Sequence, residues 1–199
     1  MVHLKTQQAY AKNENDLSVE KKIAEWFSRF ENALKVLLSD DSIRLIYDYK
    51  NYNFLIEQKG RNPYSLDELS DGYSAIIGIV ADLILRMDRN WLLKGELSQY
   101  DVEGIVLIDE VDLHLHPRWQ QRILRDLRTI FPKVQFIVST HAPSVINSVK
   151  RENLLILSDR QEADMPQNEV FGRDANSILS GIMDADERPA EVKCMFKQA

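Results

Sequence analysis

Two adjacent carboxylates, Asp109 and Glu110, close the apolar run Ile105-Val106-Leu107-Ile108 and are the first candidates for chemistry in this chain. Acids at the end of such a run are costly to bury unless they hold a cation or move protons. In a nucleotide hydrolase the first would hold Mg²⁺ through water and the second would polarise the attacking water. The plainer alternative is an acidic N-cap on the next helix. Ser139-Thr140-His141 ends a second apolar run, Val134-Gln135-Phe136-Ile137-Val138. A lone histidine at a strand end is more often structural. One that shares an edge with an Asp-Glu pair can donate a hydrogen bond to a phosphate oxygen. Ser70 and Gly72 stand at the start of an apolar helix. A hydroxyl, an open glycine backbone and the positive end of a helix together suit an anion, although a plain serine N-cap with a flexible glycine fits the same residues. His114 and His116 alternate around Leu115 with only Asp112 as an extra acid, a poor match to the four spaced ligands of zinc. No Gly-x-Ser-x-Gly elbow is present, which argues against a Ser-His-Asp hydrolase.

The elements that must position these residues follow from periodicity. A short continuous apolar run reads as a fully buried strand of a parallel sheet, with ligands gathered at its carboxyl end. Pro117 suits a first helical turn, and Trp119, Ile123, Leu124, Leu127 and Ile130 form one apolar face of a helix that Pro132 ends. Strand, helix and strand at this spacing form a right-handed βαβ unit, bringing Asp109, Glu110 and His141 to one edge. Arg118, Arg122, Arg125 and Arg128 make a basic stripe on that helix: a solvated face, or a contact for nucleic acid or an acidic partner. Further on, Pro143 to Ile146 reads as a short helix and Asn153 to Leu157 as a third strand. A polar loop covers Ser158 to Asn168, a weak helix runs from Asp174 to Met183, and Asp184 to Ala199 is a polar tail.

Upstream, Met1 to Leu17 reads as a frayed lead-in. From Ser18, a plausible N-cap, residues Val19, Ile23, Trp26, Phe27, Phe30, Leu34, Leu37 and Leu38 recur at helical spacing. Ile43 to Tyr49 and Tyr52 to Glu57 read as a hairpin turning at Lys50-Asn51. The helix carrying Ala75, Ile76, Ile77, Ile79, Val80, Leu83, Ile84 and Met87 is apolar on nearly every side and belongs inside a domain or under a second layer. Asp88 to Glu103 reads as a connection.

With 44% hydrophobic and 28% charged residues, the 199-residue chain has globular composition and enough length for a core. A net charge of -6 removes any global electrostatic case for nucleic acid. A single cysteine, Cys194, excludes an internal disulfide. No apolar run is long enough to span a membrane and no signal-peptide core is present, so the expected location is cytoplasmic.

In order, Leu69-Ser70-Asp71-Gly72-Tyr73, Ile105 to Glu110, Asp112 and Ser139-Thr140-His141 resemble the motifs of ABC-type ATPases. The nearest likeness is to the soluble RecF/SMC-like and OLD-like branch, AAA family ATPases of phage-defence systems and DNA transactions. The resemblance covers residues 65 to 147. The tail Phe171-Gly172-Arg173-Asp174-Ala175-Asn176-Ser177-Ile178-Leu179 resembles that of PtuA-type ATPases found with retron and Septu systems.

The resemblance implies a partial P-loop NTPase fold of the ABC type: α/β, with a mostly parallel sheet flanked by helices and an N-terminal helix and hairpin. It divides the chain into residues 1–62, the ATPase segment 63–160 and a tail, 161–199. It implies ATP and Mg²⁺ as cofactors, with Asp109 holding Mg²⁺ through water, Glu110 as general base and His141 at the γ-phosphate. Asp112 would couple two sites across a dimer, and Ser70 and Gly72 would complete the nucleotide site of the opposite subunit. Asp71 and Tyr73 stand where transporters usually have glycine and glutamine, which argues against transporter-like behaviour. No Gly-x-x-x-x-Gly-Lys-Ser/Thr loop occurs in these residues, so the chain is expected to match the C-terminal half of such an ATPase and to bind ATP poorly alone. The implied partners are a second copy, a complete ATPase or a nuclease effector. A non-catalytic module that regulates a complete ATPase, and a nucleic-acid effector working through the arginines, are the competing readings.

Overall fold

In a computed structural model, which describes residues 1–94, 102–157 and 163–183, the chain is an α/β protein. It forms two compact units, Met1–Val106 with Asp126–Gln135, and Leu107–Arg125 with Phe136–Ala199.

The first unit is built on α2, Leu17–Leu38, whose apolar positions give a buried stripe of Ile23, Trp26, Phe27, Phe30, Ala33, Leu34 and Leu37. Asp16, rather than Ser18, caps it: the Asp16 carboxylate accepts the Val19 N–H at 3.2 Å, and the Ser18 hydroxyl donates to the same oxygen. The expected lead-in is helical as well. Helix α1, Val2–Asn13, packs against α2 by burying Ala11 and setting the Lys5 ammonium 4.2 Å from the centre of the Phe27 ring. Its apolar pattern is weak, and Ala11 is its one buried residue among those described. Strands β1, Arg44–Asp48, and β2, Asn53–Glu57, form the hairpin, and Asp48 accepts the Lys50 and Asn51 N–H groups in the turn. A short β3, Tyr64–Ser65, adds to its edge. Phe54 and Ile56 alternate inward, and Phe27 stacks on Phe54 with centroids 5.3 Å apart. Glu31 joins helix to hairpin by accepting the Leu45 N–H at 3.0 Å. Burial pushes its carboxyl up, but that bond and Lys35 outweigh it and hold the group below its ordinary value.

Helix α3, Asp71–Lys94, is longer than expected, taking in the start of the supposed connection; residues 95–101 lie outside the described ones. Its burial is one-sided. Ile76, Ile77, Val80 and Ile84 are buried whereas Ala75 and Gly78 are exposed, so it covers one layer instead of lying beneath two.

Strands β4, Gly104–Ile108, and β5, Val134–Val138, pair with each other. They are not the fully buried strands expected: Ile105 is 66% exposed, Leu107 76% and Ile137 49%. Among the described residues the sheet has two strands and this face lacks a covering layer. The expected single helix is broken into α4, Pro117–Gln120, and α5, Ile123–Ile130, although Trp119, Ile123 and Leu127 keep the predicted apolar face buried. The predicted third strand does not join β4 and β5: β6, Ile156–Leu157, pairs antiparallel with β7, Ala163–Asp164, in a separate ribbon. Helix α6, Pro143–Ile146, and α7, Ala175–Gly181, pack together through Ile146, Ile178 and Val170. The tail from 184 lies outside the described residues. No helix among the described residues is long and apolar enough to cross a membrane.

Candidate functional site

The site is built where β4 and β5 end. The Ser139 N–H donates to the Ile108 carbonyl at 3.0 Å, and the Val111 N–H donates to the Ser139 carbonyl at 3.1 Å. The first bond follows the slanted ladder of parallel strands; the second reaches Val111, one residue past the regular position, because the Glu110 N–H is taken by the Ser139 Oγ. Asp109, Glu110, Ser139, Thr140 and His141 therefore leave the strands at the same, C-terminal edge, within the second unit.

Side chains tie that edge together. The Ser139 Oγ accepts the Glu110 N–H at 2.8 Å, and its hydroxyl donates to Asp109 Oδ1. The Thr140 hydroxyl donates to Asp112 Oδ1 and accepts the Ala142 N–H at 3.0 Å. Glu110 has φ 48° and His114 φ 59°, left-handed backbone that costs a non-glycine residue roughly 1–2 kcal/mol. The fold opposes that cost with the Ser139 bond and with two turn bonds, Leu113 N–H to the Glu110 carbonyl at 2.9 Å and Leu115 N–H to the Asp112 carbonyl at 3.0 Å. Val111, Leu115 and Trp119 anchor this loop in the interior, which leaves Asp109, Glu110 and His141 exposed.

The donor set is oxygen-rich and sparse. Among the described residues no three His, Cys, Asp or Glu side chains gather to hold a metal directly. Mg²⁺ keeps several waters and is held by one or two carboxylates plus substrate phosphates. Asp109 fits such a role because only one of its oxygens is engaged by Ser139. His116 serves the backbone instead, its Nδ1 accepting the Arg118 N–H at 3.3 Å as the cap of α4.

Ser70 and Gly72 belong to the first unit. The Ser70 carbonyl accepts the Ser74 N–H at 3.0 Å, so Ser70 immediately precedes α3, and it is exposed while Gly72 is buried. The arginine stripe is not one helical row: Arg118 lies on α4, Arg125 and Arg128 on α5, and Arg122 in the turn, its guanidinium 5.8 Å from the Trp119 ring centre. The tail motif docks by backbone: Gly172 N–H donates to the Asn147 carbonyl at 2.9 Å, and Asn147 Nδ2 donates to the Arg173 carbonyl at 2.9 Å. The hydroxyls of Ser139 and Thr140 are the site residues that sequence reasoning missed. Their signal was the hydroxyl pair directly before His141.

Residues 4–147 match a family described as "AAA domain, putative AbiEii toxin, Type IV TA system". The chain is 40% identical over 163 residues to "Retron Vc95 probable ATPase" of Vibrio cholerae serotype O1 biovar El Tor, covering 80% of this chain and 31% of that protein. It is 36% identical over 142 residues to "Septu protein PtuA" of Bacillus mycoides (strain KBAB4), covering 69% and 18%. It thus spans between about a fifth and a third of the length of these curated relatives. A solved SMC ATPase chain, described for ATP-driven dimerization and DNA-stimulated activation, aligns with TM-score 0.49 and 17% identity over 79% of this chain and 91% of that one.

Proposed function

The chain belongs to this AAA-domain ATPase family, whose relatives carry retron and Septu names, and from that premise we propose that it supplies the hydrolytic edge of a Mg²⁺-dependent ATPase acting in phage defence. The observation that carries the reading is the common C-terminal edge of β4 and β5, where Asp109, Glu110 and His141 emerge on exposed positions. Asp109 orients the water shell of the cation; Mg²⁺, when bound, neutralises phosphate charge. Glu110 accepts a proton from the attacking water, and His141 donates a hydrogen bond to the terminal phosphate. Asp112 couples this edge to a second copy, and Ser70 and Gly72 serve the nucleotide of that copy. The phosphate loop comes from residues outside this sequence or from another chain, and the ATPase segment is residues 63–160. Such chemistry fits a cytoplasmic protein, and a nuclease is the effector proposed for it.

The test is to mix the chain with a polypeptide bearing the phosphate loop and measure ATP turnover. Turnover should appear only with both, and Glu110→Gln should lower it by about 10²–10⁴-fold, the range of general acid–base catalysis. Full turnover in Glu110→Gln would remove the reading.

One observation favours a second reading. The bare face of Ile105, Leu107 and Ile137 suits cover by another polypeptide. In that reading the chain pairs with a complete ATPase and regulates it without hydrolysing ATP. Co-elution with such an ATPase in the presence of ATP, together with turnover indifferent to Glu110→Gln, distinguishes it. The arginines are the candidate contact for nucleic acid, with binding that weakens steeply as salt rises.

A further inference from the structure

Resting on the nucleotide-site reading, we infer that Ser139 and Thr140 are positioning residues, a pair of hydroxyls that sets the carboxylates of Asp109 and Asp112 and the backbone of Glu110. Ser139 bonds to four successive residues of the neighbouring segment. Its N–H meets the Ile108 carbonyl at 3.0 Å, its hydroxyl donates to Asp109, its Oγ accepts from Glu110 N–H at 2.8 Å, and its carbonyl accepts from Val111 N–H at 3.1 Å. Two of these bonds are backbone to backbone, which any residue but proline supplies. The other two belong to a single oxygen atom, which donates to one acid and accepts from the backbone of the next.

That oxygen has two consequences. It commits Oδ1 of Asp109 and so directs the carboxylate's other oxygen toward the water shell of a cation. It also holds Glu110 in left-handed backbone, a conformation that persists in a non-glycine residue only when neighbours over-determine it. Thr140 repeats the device one residue later, donating to Asp112 while accepting the Ala142 N–H at 3.0 Å. The loop carrying His141 and the loop carrying the three acids are therefore linked hydroxyl to carboxylate at Asp109 and Asp112, so these two carboxylates hold their geometry before any ligand arrives. Alanine at 139 keeps both backbone bonds and loses both hydroxyl bonds. Threonine keeps all four.

The full chain tests this by NMR. In Ser139→Ala, exchange of the Glu110 amide should speed up about tenfold, the scale of one lost hydrogen bond. Ser139→Thr should restore the wild-type rate, and the Ile178 amide should be unmoved in both. With ATP and the phosphate-loop polypeptide present, Mn²⁺, the probe for the cation, should broaden the Asp109 and Glu110 resonances. Half-broadening should need about tenfold more Mn²⁺ in Ser139→Ala, the lower end for an outer-shell partner, and the wild-type amount in Ser139→Thr. Unchanged Glu110 exchange in Ser139→Ala overturns the inference. So does equal acceleration at Ile178, which marks general loosening. Asp109→Asn should abolish the broadening. Absence of broadening in the wild-type chain overturns the nucleotide-site reading instead, and the exchange arm still decides the hydroxyl pair.

Discussion

The two units use their apolar residues in opposite ways. In the first, Phe30, Leu34, Leu37 and Ile56 are wholly buried, and Trp26 stacks on Phe30 with centroids 5.3 Å apart. The interior is closed around a polar atom, since the buried Trp26 Nε1 has no hydrogen-bond partner among the described residues. In the second, an aliphatic cluster of Ile146, Val170 and Ile178 and a buried Trp119 form the interior, while Leu107 and Ile137 stay exposed. Order there comes from polar contacts: Ser139 and Thr140 to the acids, Asn147 to the tail, and three N–H groups to Glu169. One region is organised for stability. The other leaves an edge and part of its apolar surface exposed.

Core truncations should separate the two most widely. Phe30→Ala removes a ring with no exposure and an aromatic partner, and should cost about 3–5 kcal/mol in denaturant unfolding. Ile178→Ala empties the centre of a cluster with fewer neighbours, where partial collapse is easier, and should cost about 2–4 kcal/mol. If Ile178→Ala proves silent, the second unit lacks even the packed interior assigned to it.

How legible this was depended on what held each element. Helix α2 was readable because dense apolar periodicity and burial in the structure coincide; for β5 the bounds, Val134 to Val138, were readable but the burial was not. The acid and histidine positions were readable because strands end where their apolar runs end. Burial of β4 was not, since Ile105 to Ile108 has the composition of a strand covered on both faces and the described residues do not cover it. Helix α1 was missed because its apolar pattern is weak, with Ala11 its one buried residue among those described. The hydroxyl bonds of Ser139 and Thr140 were missed because they depend on register between strands 30 residues apart, which one sequence does not encode locally.

A gentler probe of the second unit is pH. Phe171, Arg151 and Val170 N–H groups all point at Glu169 Oε1, at 3.0, 3.0 and 2.9 Å, and hold its carboxyl below the ordinary 4.5. A carboxyl depressed by folding stabilises the fold above its unfolded value and loses that contribution as pH falls through its folded value. The stability gap between wild type and Glu169→Gln should therefore be open at neutral pH and narrow as pH drops below 4.5. A gap independent of pH would assign the bonds to geometry alone.

The smallest expected effect is the sharpest test of the contrast. Leu107→Thr replaces a leucine of β4 that is 76% exposed with a β-branched residue of good strand propensity. Were Leu107 part of the core, this change would rank with Ile178→Ala. On a bare face it loses little burial, and unfolding should shift by no more than about 0.5 kcal/mol, the usual range for surface substitutions. The same variant should instead weaken association wherever another polypeptide covers the face, read as faster dissociation from a phosphate-loop-bearing partner. Loss of stability without loss of association would reverse the assignment and make β4 a core strand.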